Sequence, residues 1–223
     1  MLPPASDGYT AWVFCLRRPS TTTLERYLLD CESRELNVPG LNVASLEAPP
    51  PGFVSDTYGG VLGSGRDAYE AAVEALESFA MYPSPWTWVH ARPGPLEVGS
   101  VYVGVVRGFG LYTLLPGRVL EVFDGSDPMR RRGFTFGTLA GHVEQGAERF
   151  EVHRSSETDE VRYGARAVSR PTPLVRLGKP FARRLQLRFQ RESTEAMRAH
   201  VQRAGALGRQ GQGRSHSSDG RGA

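Results

Sequence analysis

The chain predicts an α+β fold, a curved antiparallel sheet wrapped on a long C-terminal helix with an N-terminal arm in front. Three observations carry this. Between Trp86 and Val168 the apolar residues alternate as they do in strands, in short segments separated by polar turns such as 124–128 and 155–159. Ahead of that stretch, Tyr69, Ala72, Val73, Leu76, Phe79 and Ala80 repeat with helical spacing. Behind it, Pro180 opens a run in which Phe181, Leu185, Phe189 and Met197 fall on one side of a helix.

Taken in order, Tyr9 to Leu16 reads as a strand, with Trp12, Phe14 and Leu16 alternating with small or polar residues. Pro19-Ser20 opens a helix capped by Thr23 or a neighbouring hydroxyl, with Leu24, Tyr27, Leu28 and Cys31 on one face. The proline run inside 47–52 breaks regular structure, so residues 1–51 are expected to form an arm docking on the domain. Val54 to Leu62 is the next strand. Ser64 and Asp67 then resemble a capping box for a helix reaching about Met81, where Pro83 and Pro85 stop it. Further strands are expected at Trp86–Ala91, Val98–Arg107, Leu111–Leu115, Arg118–Phe123, Gly133–Leu139, Glu148–His153 and Val161–Val168. Connections this short make the sheet mostly antiparallel. The domain is expected over 52–203, and the Gly/Arg/Ser-rich 204–223 is expected to stay disordered because it carries little apolar surface to bury. A sheet of this kind needs its apolar face covered, and the long helix is the obvious cover. That layout is the START-like, or helix-grip, architecture, in which the space between sheet and helix is commonly a ligand cavity.

Composition narrows the function classes. With 39% hydrophobic and 23% charged residues in 223, the chain reads as one ordinary globular domain with extensions. No apolar run approaches the ~20 residues a membrane-crossing helix needs, and the first ten residues lack the pattern of a secretory signal, so the expectation is a cytoplasmic protein. Cys15 and Cys31 form neither a disulfide framework nor a CxxC pair and read as small buried hydrophobes. The formal net charge of +3, carried almost wholly by arginine, does not point to nucleic acid.

Several short motifs recur in a recognisable order: Leu62-Gly-Ser-Gly65, Gly133-Phe134, Gly137-Thr-Leu139, Gly141-His142, Glu148 with Phe150, Ser169-Arg-Pro171, and Pro180 followed by Arg183-Arg184-Leu-Gln186. On these the chain resembles the plant and bacterial uncharacterised protein family 0548, over roughly residues 52 to 200. It departs from the family in carrying Phe79 where a tryptophan is usual and Gly146-Ala147-Glu148 where Gly-Glu-Glu is usual. The resemblance implies a START-like fold and hands over no activity.

Alternation puts Glu148 on the same strand face as Phe150 and Val152. If that face is the interior, the carboxyl must be paired, hydrogen-bonded or protonated. Candidate partners are Arg166, Arg170, His142 and the Tyr163 hydroxyl. A structural ion pair is the plain alternative to a polar anchor or an acid/base group at a cavity wall. His142 and Glu144 are metal-ligand types, yet the spacing of a zinc site is missing, so no metal and no cofactor is expected. A turn histidine bonded to backbone is the simpler reading. The glycines of 59–65 lack a P-loop lysine and a complete dinucleotide fingerprint, and read as a strand-to-helix turn. Phe134, Phe136, Tyr163, Ala165, Ala167 and Trp88 are expected to point inward, fitting either a packed core or a cavity wall.

Three readings remain. The first is a small hydrophobic or amphipathic molecule held between sheet and helix by Phe134, Phe136, Thr138, His142, Glu148, Tyr163 and Arg170. The second is an acid/base enzyme using Glu148 and His142, which requires both side chains to reach one cavity. The third is an interaction module presenting its arginine-rich face to RNA or an anionic membrane.

Overall fold

Consecutive strands joined by short turns pair as hairpins, and the sheet grows in one direction as the chain returns on itself. A computed structural model describes residues 14–38, 40, 44–125, 129–172 and 179–215. Its elements are β1 (Phe14–Cys15), α1 (Thr21–Cys31), α2 (Ala44–Glu47), β2 (Val54–Ser64), α3 (Arg66–Glu77), β3 (Thr87–Ala91), β4 (Val101–Gly108), β5 (Leu111–Gly125), β6 (Met129–Thr138), β7 (Glu144–Ser155), β8 (Glu160–Pro171) and α4 (Lys179–Ser215). The antiparallel sheet runs β2-β8-β7-β6-β5-β4-β3, and β1 adds to β5. Two pairs join strands far apart in the chain, β1 with β5 and β2 with β8. The β2–β8 pair places Tyr58 opposite Ala165, one strand away from β7.

The predicted fold class is what the structure shows: a curved antiparallel sheet against a long C-terminal helix. The inner face buries Leu62, Phe134, Phe150, Val152 and Tyr163 against Leu76 of α3 and Met197 of α4. The outer face is covered too. Leu24 and Leu28 of α1 pack on Val103, Val105 and Leu114, and Leu46 of α2 packs on Ala147 and Val168. Trp88, expected inward, lies on this outer side with Tyr112. Its alternation is genuine, but both faces of the sheet are apolar.

Several boundaries move. Ser20 caps α1, its hydroxyl accepting from the Thr23 amide at 3.2 Å. Gly65, not Ser64, caps α3, without any side-chain bond. Its φ of 90° favours glycine, and its amide donates to the Asp159 carbonyl at 2.9 Å, tying the turn to the β7–β8 hairpin. The two strands expected around Pro116-Gly117 are one strand. Pro116 sits where one edge of β5 passes from β1 to β6, so its missing N–H costs no ladder bond. α4 continues to Ser215, past the expected end of the domain at 203, so part of the stretch expected to be disordered is helical. Residues 216–223 and 9–13 of the expected first strand lie outside the described residues.

Candidate functional site

The inner face is not filled along its whole length. Toward β4, β5 and the start of α4 lies a cavity of about 590 Å³ between sheet and helix. One end is apolar, walled by Val106, Leu111, Leu115, Phe181 and Leu185. The other end gathers Asp56, Tyr58, Tyr102, His142, Glu144 and Glu148.

Glu148 stands in β7 with Phe136 of β6 opposite on one side and Ala167 of β8 on the other. Small Ala167 leaves room over the carboxyl. The bond it receives is from Tyr58 of β2, whose hydroxyl donates to Oε1 at 2.6 Å. Burial, reinforced by the nearby Glu144 and Asp56 charges, lifts its pKa to about 7 against the pull of the Tyr58 bond. Neither expected arginine meets it. Arg166 bonds Glu47 at 3.0 Å, and Arg170 bonds Gln145 Oε1 at 2.9 Å and lies over Phe53. The register explains both: Tyr163, Ala165 and Ala167 face inward, so residues 166 and 170 face out.

His142 sits in the β6–β7 turn, where Gly141 has a φ of 96°. Nδ1 lies 2.9 Å from the Glu144 amide nitrogen and 3.0 Å from the Glu144 carbonyl oxygen, so the ring is held by backbone on that side. Burial lowers its pKa to about 4, so the ring is neutral at physiological pH. The simpler reading, a turn histidine bonded to backbone, describes its Nδ1 side. Its ring nonetheless lines the same cavity as Glu148.

Two further carboxylates complete this end. Arg183 of α4 grips Asp56 with bonds of 2.6 and 2.9 Å, fastening the helix to β2. The Gln186 amide donates to Glu144, whose pKa is raised by burial. Burial also pushes the phenols of Tyr58, Tyr82, Tyr102 and Tyr163 above their ordinary range, with the Glu148 charge contributing at each, so all four stay protonated. Tyr163 spends its hydroxyl on Ser193 at 2.9 Å. The Tyr102 hydroxyl is buried beside the Tyr82 phenol and, among the described residues, makes no hydrogen bond of good geometry.

Of the seven residues expected to bind a ligand, Phe136, Thr138, His142 and Glu148 line the cavity. Phe134 is sealed in the core at 2% exposure, Tyr163 faces α4, and Arg170 is on the other face. Thr138 accepts from the Gly146 amide at 2.8 Å, so its hydroxyl also fastens the hairpin. The sequence reading missed Tyr58 and Tyr102. Alternation in β2 with Asp56 and Leu62 carried a signal for the first; nothing local marked the second. Among the described residues no group of three or more His, Cys, Asp or Glu side chains is placed to hold a metal ion.

Fold and site together define a helix-grip α+β protein with an internal cavity, apolar at one end and acid-rich at the other. The chain belongs to the family described as Domain of unknown function (DUF1990), whose model matches residues 39–196. It is similar to a UPF0548 protein of Dictyostelium discoideum, 27% identical over 203 residues, covering 83% of this chain and 94% of that one. A UPF0548 protein of Arabidopsis thaliana is 31% identical over 160 residues, covering 70% and 77% respectively. Among solved structures, a hypothetical protein of Helicobacter pylori matches at a TM-score of 0.49 and 17% identity, over 75% of this chain and 99% of that one. A major latex-like protein of Panax ginseng matches at 0.44 and 16%, over 67% and 98%. At this level of likeness nothing functional passes from them to this chain.

Proposed function

We propose that the protein binds a small hydrophobic or amphipathic molecule in the cavity, apolar body toward Leu111 and Leu185, polar head toward Glu148. One observation carries this reading. A 590 Å³ space with largely apolar walls ends at two polar groups with bonding capacity to spare, the Glu148 carboxyl with one phenol partner and the Tyr102 hydroxyl beside Tyr82. Burying such groups short of partners is costly, and a ligand head able to accept from Tyr102 and donate to Glu148 removes that cost. Saturable fluorescence of anilinonaphthalene sulfonate, abolished by filling the cavity with Ala167→Phe, is the expected result. A wild-type protein that shows no saturable signal overturns the reading. Native mass spectrometry followed by denaturing extraction then identifies the natural adduct, which Glu148→Gln is expected to lose.

Proton transfer to or from the bound molecule is the second reading, favoured by the convergence of Glu148 and His142 on one cavity. A carboxyl that titrates near neutrality suits general acid/base work. The expected result is deuterium entering the extracted adduct when it is incubated with protein in heavy water, and not with Glu148→Gln. No incorporation with the wild type removes this reading and leaves the first intact.

A further inference from the structure

The β4–β5 hairpin turns on two residues, Phe109 and Gly110, between the paired Gly108 and Leu111. Both have positive φ, 52° and 81°, the conformation of a type I′ turn, where Asn-Gly is the favoured pair. Phenylalanine is badly suited to the first position, because a bulky side chain in the left-handed region is strained. Phe109 is also 62% exposed, so folding gains little from its ring. A residue unfavourable both for the backbone and for solvent calls for a role outside the monomer's own stability.

Its neighbours share the anomaly. Phe181, in the first turns of α4, is 54% exposed and packs edge-to-face on Phe109 at 5.2 Å. Phe14 of β1 is 41% exposed. All three line the mouth of the cavity. β1 runs antiparallel to β5, so the chain beyond Cys15 heads toward the hairpin tip and carries Leu16, 82% exposed, beside them. The result is an apolar patch continuous with the apolar end of the cavity.

Charge around the patch is one-sided. Residues 14–20, 107–115 and 180–188 contain six arginines and no aspartate or glutamate. Arg183 and Arg188 are engaged by Asp56 and Glu192, and Arg18 lies over Trp88. Arg17, Arg184 and Arg107, the last at 5.9 Å over the Tyr112 ring, have no ion pair among the described residues. A second copy of the chain fits poorly, since a symmetric contact would set this positive rim against itself.

We infer that the cavity mouth docks on an anionic phospholipid surface. Phe14, Leu16, Phe109 and Phe181 enter the interface, and Arg17, Arg107 and Arg184 face the lipid phosphates. Docked so, the apolar end of the cavity opens onto the acyl region, and a hydrophobic molecule passes between bilayer and cavity without crossing water. Vesicle binding is read with no cavity ligand present, so its failure and that of the binding reading are distinguishable.

The test is flotation of the full chain with phosphatidylcholine vesicles, with and without about one third phosphatidylserine. Salt-sensitive partition onto the anionic vesicles is expected. Phe109→Asn is the informative variant because asparagine suits the turn. It should keep or raise the melting temperature while partition weakens about tenfold, the value of one apolar side chain leaving the interface. Arg107→Gln with Arg184→Gln should weaken partition by a similar factor. Equal partition onto neutral and anionic vesicles overturns the inference, as does wild-type partition by Phe109→Asn. So does a patch spent elsewhere, shown by single-stranded RNA binding or a solution dimer that Phe109→Asn abolishes.

Discussion

The two faces of β7 treat charge and space in opposite ways. On the outer face, Arg149 bonds Glu47 at 3.3 Å, Glu121 at 3.4 Å and the Thr135 hydroxyl at 3.3 Å, and Glu151 bonds Arg131 at 2.9 Å. On the inner face one residue away, Glu148 meets a phenol and no guanidinium. Packing divides the same way. A Cβ on outer-face Gly133 would lie 2.4 Å from Phe123 Cζ and 2.5 Å from the Phe150 carbonyl, whereas the inner face encloses 590 Å³ of space. Around Glu148 the sheet is close-packed and charge-matched outside, and leaves space and a carboxyl without a cation inside. The difference teaches that the cavity is not a general looseness of packing. It is confined to the stretch where small Ala167 faces α4 beside Glu148.

The largest expected effect tests the packing half of this contrast. Gly133→Ala must displace a ring and a backbone carbonyl, and is expected to cost about 3 kcal/mol. Ala167→Leu projects into space and is expected to change stability by less than about 1 kcal/mol while abolishing probe binding. Urea midpoints at equal m-values measure both. If the two cost the same, the inner face is as tightly packed as the outer and the cavity reading loses its basis.

Alternation made much of this legible in the sequence, and its failures have one physical cause. It placed Glu148 with Phe150 and Val152 correctly, because β7 carries polar residues outward and apolar ones inward. The same rule along β8 from Tyr163, Ala165 and Ala167 turns Arg170 outward, away from Glu148, as its bond to Gln145 bears out. Trp88 misled because α1 covers the outer face, so β3 and β4 are apolar on both sides and no longer announce which side is in. Tyr58 lies 90 residues from Glu148 and meets it only through the β2–β8 pairing. A long-range pair of that kind leaves no local trace. Pro116 reads as a breaker because a sequence does not show where a strand changes neighbours.

Next in size is the pH dependence of the unmatched interior. Glu148 is raised from 4.5 to about 7 in the folded state, so its contribution is full below 4.5 and is lost as pH rises through about 7. His142 is lowered from 6.5 to about 4, so its contribution is full above 6.5 and is lost as pH falls toward about 4. Between 4.5 and 6.5 the two slopes oppose each other, and the part of the wild-type profile set by these groups is nearly flat. Removing either should reveal the other. Glu148→Gln is expected to stabilise the protein by about 2 kcal/mol above neutral pH and to lose stability on acidification. His142→Asn, whose amide oxygen can still accept from the Glu144 amide, is expected to lose stability as pH rises. Thermal melts across the range decide it; unchanged slopes in both variants would mean that neither group is enclosed as described.

The smallest effect probes the outer network. Arg149 has a side-chain exposure of 14% and bridges Glu121 at 34% and Glu47 at 61%, so its removal strands carboxylates that water still reaches. A fully buried pair broken this way costs about 3–5 kcal/mol; here Arg149→Met is expected to cost about 1–2 kcal/mol, with the methylene packing over Phe123 partly kept. Pairing it with Glu121→Gln closes a double-mutant cycle. The expected coupling is about 0.5–1 kcal/mol, the range of partly exposed pairs, and it should shrink as salt is added. Salt is expected to change the inner Glu148–Tyr58 contact little, since the phenol that Glu148 accepts from carries no charge. An Arg149→Met that is neutral at every salt concentration would show that outer charges need no matching. The contrast between the two faces would then be one of space alone.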